Sequence, residues 1–103
     1  MMLLSIDYIP GKEIMPLGMV KGAIVQTKHF GNDFMAGMKT LVGGEITSYT
    51  EMLNEARQIA VKRMVDEANA LEADAVIGIR YGSAQVMQGA AEVLAYGTAV
   101  KIL

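Results

Sequence analysis

Residues Gly43 to Arg80 read GGEITSYTEMLNEARQIAVKRMVDEANALEADAVIGIR, and this stretch decides the fold. Gly43-Gly44 breaks the chain before it, because two glycines release the backbone from helical dihedrals. Ser48 and Glu51 have capping-box spacing, in which the hydroxyl accepts from the N–H of Glu51 and the carboxylate from the N–H of Ser48. From there to Leu71 the chain has no Gly or Pro and is rich in good helix formers. At 100° per residue, Met52, Leu53, Ala56, Ile59, Ala60, Met64, Ala68 and Leu71 fall on one apolar stripe, with Glu55, Gln58, Lys62, Asp66 and Asn69 opposite. Ala75-Val76-Ile77-Gly78-Ile79 then reads as a strand covered on both faces, and Gly78 predicts close approach of another backbone.

Two charges, Arg63 and Glu67, break the apolar stripe four residues apart. A charge on a buried face is costly unless partnered. The two therefore predict either an ion pair at the core edge or in a subunit contact, or the polar floor of a ligand pocket.

Outward from this unit, Met2 to Ile9 reads as a first strand and Pro10-Gly11-Lys12 as a turn. Ile14 to Gln26 reads as a longer strand, with Pro16 suited to a sheet edge and Gly18 and Gly22 to a bulge or tight packing. Phe30, Phe34, Met38 and Leu41 recur at helical spacing, which predicts a first helix capped by Asn32 and ended by Gly43. Residues 82–91 read as a loop and 92–103 as a final alternating strand. The predicted order is ββααββ, an α+β domain spanning 1–103 with two helices on an antiparallel or mixed sheet.

Composition narrows the function. The chain of 103 residues is 52% hydrophobic and 19% charged, more apolar material than a core of this size hides, which predicts a homo-oligomer. A net charge of −2 and 6% aromatic content give nucleic acid no electrostatic footprint. With no cysteine there is no disulfide, no thiolate catalysis and no Cys-type zinc site, which fits a cytoplasmic protein. The N-terminal apolar run is too short for a signal peptide or a membrane span.

Leu17-Gly18-Met19-Val20-Lys21-Gly22, Val42-Gly43-Gly44, Tyr49, Ala56-Arg57, Ala75-Val76-Ile77-Gly78 and Gly97-Thr98-Ala99-Val100 together resemble the YbjQ-like family over nearly the whole chain. Its members are labelled heavy-metal-binding domains of unestablished function. The resemblance implies a small α+β subunit assembling into a ring, a homopentamer, in a bacterial or archaeal cytoplasm, and it implies no known reaction. The chain departs from the family at Glu72, where members often carry Gly, and at Glu45, where a basic residue is common.

The candidate chemistry is sparse. The metal named by the family, a divalent or heavy-metal ion, finds only His29 with Asp33 at i, i+4 spacing, too few ligands unless symmetry-related copies contribute. Met35 with Met38 and Met52 with Met64 have spacings that copper(I) could use, yet methionine at such positions is ordinarily core filling. Gly43-Gly44 ahead of a helix could hold an anion on backbone N–H groups but lacks the rest of a P-loop or dinucleotide motif. No Ser/His/Asp constellation stands out. The reading is a non-enzymatic binding module in which Gly43, Gly44, Tyr49, Arg57, Arg63 and Glu67 line a ligand or subunit-interface pocket, with Tyr49 and Arg57 implied by the family resemblance and by their place on the helix. The alternatives are a ring that only assembles, and an enzyme of unrecognised type.

Overall fold

The structure is a computed structural model, and it describes residues 1–27, 41–42 and 45–103. The elements are β1 (Met2–Leu3), β2 (Ile14–Thr27), β3 (Leu41–Val42), β4 (Glu45–Ile46), α1 (Thr47–Ala70), β5 (Ala75–Met87) and β6 (Ala90–Ile102). Four strands form one mixed sheet in the order β1-β5-β6-β2, and β3 pairs with β4 in a separate two-stranded ladder. Strand β1 runs parallel to β5, while β6 runs antiparallel to both neighbours. The architecture is α+β, with one helix among the described residues.

Helix α1 packs through a single i, i+4 row. Ala56, Ala60, Met64 and Ala68 are fully buried, with Met52 close behind. Three alanines in that row leave no bulk to hold the backbones apart. The strand beneath supplies Gly22, where a Cβ would run into the Ala60 carbonyl, the Met64 amide and, at 2.8 Å, the Arg63 Cβ. The helix therefore rests almost directly on the backbone of β2. Val20, Val76, Val93, Ala95 and Ala99 complete this core.

The helix lies mainly over β2, less over β6 and hardly over β5. A second cluster of Ile9, Ala75, Ile77 and Val100 is closed by Leu4, Ile14 and Ile102. The N-terminal segment runs beside β5 to reach it: Leu4 N–H donates to Val76 O at 2.9 Å, Gly78 N–H to Ile6 O at 2.8 Å and Ile79 N–H to Leu4 O at 3.1 Å. Gly78 has a φ of 62°, and a Cβ there would meet the Asp7 side chain at 3.3 Å, so the left-handed backbone rather than the expected backbone crowding accounts for the glycine.

The helix ends in a Schellman arrangement. Ala73 N–H donates to Ala68 O at 3.0 Å and Glu72 N–H to Asn69 O at 2.9 Å, with Glu72 at a φ of 58°. Glu72 is the non-glycine residue with positive φ among those described.

Several expected boundaries are corrected. The region read as a loop, 82–91, is the far half of a long hairpin, in which β5 and β6 pair out to Met87 and Ala90 around Gln88-Gly89, with Gly89 at φ 78°. Its small polar residues conceal strand alternation, and cross-strand pairing supplies what propensity lacks. The first strand is only Met2–Leu3, because bends at 5–8 carry the chain away before Pro10. Leu41 and Val42, expected at the end of the first helix, are β3, held by antiparallel pairing with Ile46 and Glu45. The rest of that predicted helix, residues 28–40 with its Asn32 cap, lies outside the described residues, as does its Gly43 stop. Strand β2 sits at the sheet edge as Pro16 predicts, with its register shifting between Pro16 and Gly18.

Two stability outcomes follow from these contacts. Gly22→Ala should destabilise the fold by about 3 kcal/mol through overpacking against helix backbone that cannot yield. Glu72→Gly should stabilise it by about 1 kcal/mol by removing the left-handed penalty of a side chain while keeping the backbone bonds. Urea unfolding midpoints of both variants against the parent chain check the two signs.

Candidate functional site

Because α1 sits over the β2 side of the sheet, the helix-side surface of β5 is left open, and a cleft of about 500 Å³ forms there. Tyr49, Met52 and Leu53 come from the first two turns of α1, and Ser83, Gln85 and Ala91 from the hairpin. The strand positions follow from the register, since Ser83 pairs with Val93 and Gln85 with Ala91, on the face whose other members pack under the helix. Met52 forms a buried wall, Tyr49 and Leu53 are half-buried, and Ser83 and Gln85 stand exposed at the rim.

The lining decides what this cleft can do. Its polar groups are a phenol, a hydroxyl and an amide, so it offers donors and acceptors without formal charge. Tyr49 is the titratable residue among those lining it. Among the described lining residues there is no carboxylate, imidazole or amine.

The predicted site residues separate. Tyr49 lines the cleft. Arg57 lies on the exposed helix surface, where its Nη1 donates to Asn54 Oδ1 at 2.7 Å. Arg63 and Glu67 reach over the edge of β2: Arg63 Nη1 donates to Ala23 O at 2.7 Å, and Glu67 Oε1 accepts from Lys21 N–H at 3.0 Å. The expected ion pair between them gives way to these two backbone bonds, because β2 is an edge strand whose outward polar groups lack a neighbouring strand. Gly43, Gly44, His29 and Asp33 lie outside the described residues. Ser83 and Gln85 escape sequence reasoning because they fall in the stretch read as a loop; the signal for them is the two-residue Gln88-Gly89 connection between alternating segments.

The fit of a metal can be tested on the donors present. Among the described residues, no three His, Cys, Asp or Glu side chains come together to hold an ion. Soft metals need thiolates or several imidazoles, and the chain has no cysteine and one histidine. The described residues therefore do not fit the ion. Met64 is fully buried in the core, and Met52 is buried as a wall of the cleft.

Among the described residues, no helix is long and apolar enough to cross a membrane. The YbjQ family model, described as "Putative heavy-metal-binding", matches residues 1–103. A UPF0145 protein of Clostridium novyi is 60% identical over 103 residues, covering 100% of both chains. A UPF0145 protein of Fervidobacterium nodosum is 61% identical over 103 residues, covering 99% of this chain and 95% of the relative. A crystal structure from Pediococcus pentosaceus, a protein of unknown function in the DUF74 family, shares the fold with a TM-score of 0.65 at 20% identity, covering 100% of this chain and 98% of that one.

If Arg63 and Glu67 serve the sheet edge, Arg63→Ala and Glu67→Ala should each lower unfolding free energy by roughly 1 kcal/mol, the net worth of an exposed backbone-capping hydrogen bond. Faster amide exchange at Lys21 in the Glu67→Ala chain, read by NMR, would locate the loss at the strand.

Proposed function

Since the chain belongs to the YbjQ family, we propose that it is a non-enzymatic binding subunit whose ligand is a small, uncharged, partly apolar molecule held in the cleft at Tyr49. The observation that carries this reading is the lining itself: apolar walls from Met52, Leu53 and Ala91, with neutral hydrogen-bonding groups on Tyr49, Ser83 and Gln85. Among the described lining residues, a metal ion or a multiply charged ligand finds no matching charge.

The same proposal places the subunit in a cytoplasmic homo-oligomer, a ring and in particular a pentamer. The sheet face turned away from α1 supports association, while the ring, its subunit number and its compartment rest on the family resemblance. Strand alternation and register put Met19, Val25 and Tyr96 together on that face, at 79%, 53% and 37% exposure. A second reading rests on this face and the resemblance alone: the chain builds a ring and carries no ligand.

Native mass spectrometry of the untagged protein, before and after adding Zn, Cu, Ni and Cd salts, separates these. A closed oligomer with a small organic mass retained per subunit is expected, with no metal taken up in a fixed ratio. The Tyr49→Phe chain should hold the same subunit number and bind the released ligand about fivefold more weakly, one hydrogen bond's worth. A monomer of 11.1 kDa would remove the assembly reading. Fixed-ratio metal uptake would replace the neutral ligand with an ion and direct mutagenesis to His29 and Asp33. An empty oligomer would leave the purely structural ring.

A further inference from the structure

A second cleft, separate from the one at Tyr49, carries a cation held in place. It has a volume of about 470 Å³ and lies where the N-terminal segment passes β5 beside the helix flank. Leu3, Leu4, Val61 and Ile79 give it apolar walls, and Ser5, Arg80 and Tyr81 are its polar members.

Arg80 is positioned by the backbone. Its Nη1 donates to Ser5 O at 2.7 Å and to Ile79 O at 2.9 Å. Two carbonyls use both hydrogens of Nη1 and fix the guanidinium plane. The Nε and Nη2 hydrogens take no acceptor among the described residues, and neither ion pair among those residues includes Arg80. The Nε/Nη2 edge of a guanidinium is a two-pronged donor that matches a carboxylate. Most surface arginines must give up side-chain freedom to bind an anion; this one has already been ordered by its own chain.

We propose that this cleft binds a small amphiphilic monocarboxylate. The carboxylate takes the free edge of Arg80, the Tyr81 and Ser5 hydroxyls supply further donors, and the apolar tail lies against Leu3, Leu4, Val61 and Ile79. One cation matches one negative charge. A phosphate dianion would be left undercompensated among apolar walls, and a cation would be repelled. The inference is independent of the ligand at Tyr49, since the two clefts share no lining residue.

The test is a titration of the full-length, isotope-labelled protein with sodium hexanoate, followed by TROSY NMR, with hexanol and hexylammonium as matched probes. Hexanoate should give saturable shifts at Leu4, Ile79, Arg80 and Tyr81. It should bind at least about tenfold more tightly than hexanol or hexylammonium, the worth of a bidentate charge-assisted pair. Arg80→Gln should remove about that same tenfold, and Tyr81→Phe roughly threefold, as a neutral hydrogen bond would. Tyr49→Ala should leave hexanoate affinity unchanged even where it abolishes the ligand of the first cleft. The proposal is overturned if hexanol binds as well as hexanoate, or if a folded Arg80→Gln chain keeps full affinity. It is also overturned if Arg80→Gln lowers the subunit number in native mass spectra, which would make the cleft a contact between copies. Should Arg80→Gln fail to fold, Tyr81→Phe decides, and an affinity within twofold of the parent's overturns the proposal.

Discussion

The structure depends on the approach of α1 to β2 at Gly22. A side chain there would occupy the space of the Ala60 carbonyl and the Met64 amide, so the helix axis lies closer to the sheet than ordinary side chains permit. The alanine row of Ala56, Ala60 and Ala68 matches it from the helix side. Close approach at an edge strand has a second effect. It brings long side chains on the helix flank within reach of the strand's outward backbone, which is how Arg63 and Glu67 come to satisfy Ala23 and Lys21. A charged pair that looks misplaced on a helical wheel thus closes part of a sheet edge that would otherwise invite strand addition.

What the helix covers on one side it leaves open on the other. Four strands are wider than one helix, and α1 is committed to β2 and β6, so the helix-side surface of β5 is roofed only partly. The cleft at Tyr49 lies along that surface, and the other lies at the sheet edge where Val61 and the N-terminal segment flank β5. On the opposite face the N-terminal segment closes one end of the sheet with Leu4 and Ile9, while Met19, Val25 and Tyr96 remain in solvent. Part of the exposed apolar surface among the described residues therefore lies on this face.

Much of this was legible in the sequence, and for identifiable reasons. The long helix was read at 48–71 and runs Thr47–Ala70, since an unbroken run of good formers with one apolar stripe has few alternatives. Strand β2 was read to within a residue of its end, and its proline and glycines marked the edge position and the shift of register. Leu71 looks like a member of the stripe but is exposed, because the helix ends before it and Glu72 turns the chain. The hairpin was missed because Gly82, Ser83 and Ala84 have no strand preference of their own; they are held by β6 across from them. Of the candidate site residues, Tyr49 was singled out by the family resemblance and its place at the helix start, and it lines the first cleft. Arg80 was not, because what distinguishes it is a pair of carbonyls contributed partly by Ser5, a residue seventy-five positions away.

The two clefts show how neighbouring sites on one strand acquire different chemistry. Near the hairpin, β5 alternates Ser83 and Gln85 towards the helix side, and the facing helix turn contributes Tyr49, Met52 and Leu53, so the described lining carries a phenol, a hydroxyl and an amide and no acidic or basic side chain. Five residues earlier the strand is interrupted by the left-handed Gly78, and its register against β6 shifts between Ile77 and Arg80. That irregularity lets the N-terminal backbone come alongside, and its Ser5 carbonyl becomes available to Arg80. A guanidinium pinned by carbonyls keeps its charge and loses its mobility, which is the condition for selecting an anion rather than merely attracting one. Gly78 thus matters to the second cleft without lining it: a side chain there would meet Asp7 at 3.3 Å and strain the backbone, moving the N-terminal segment that fixes Arg80.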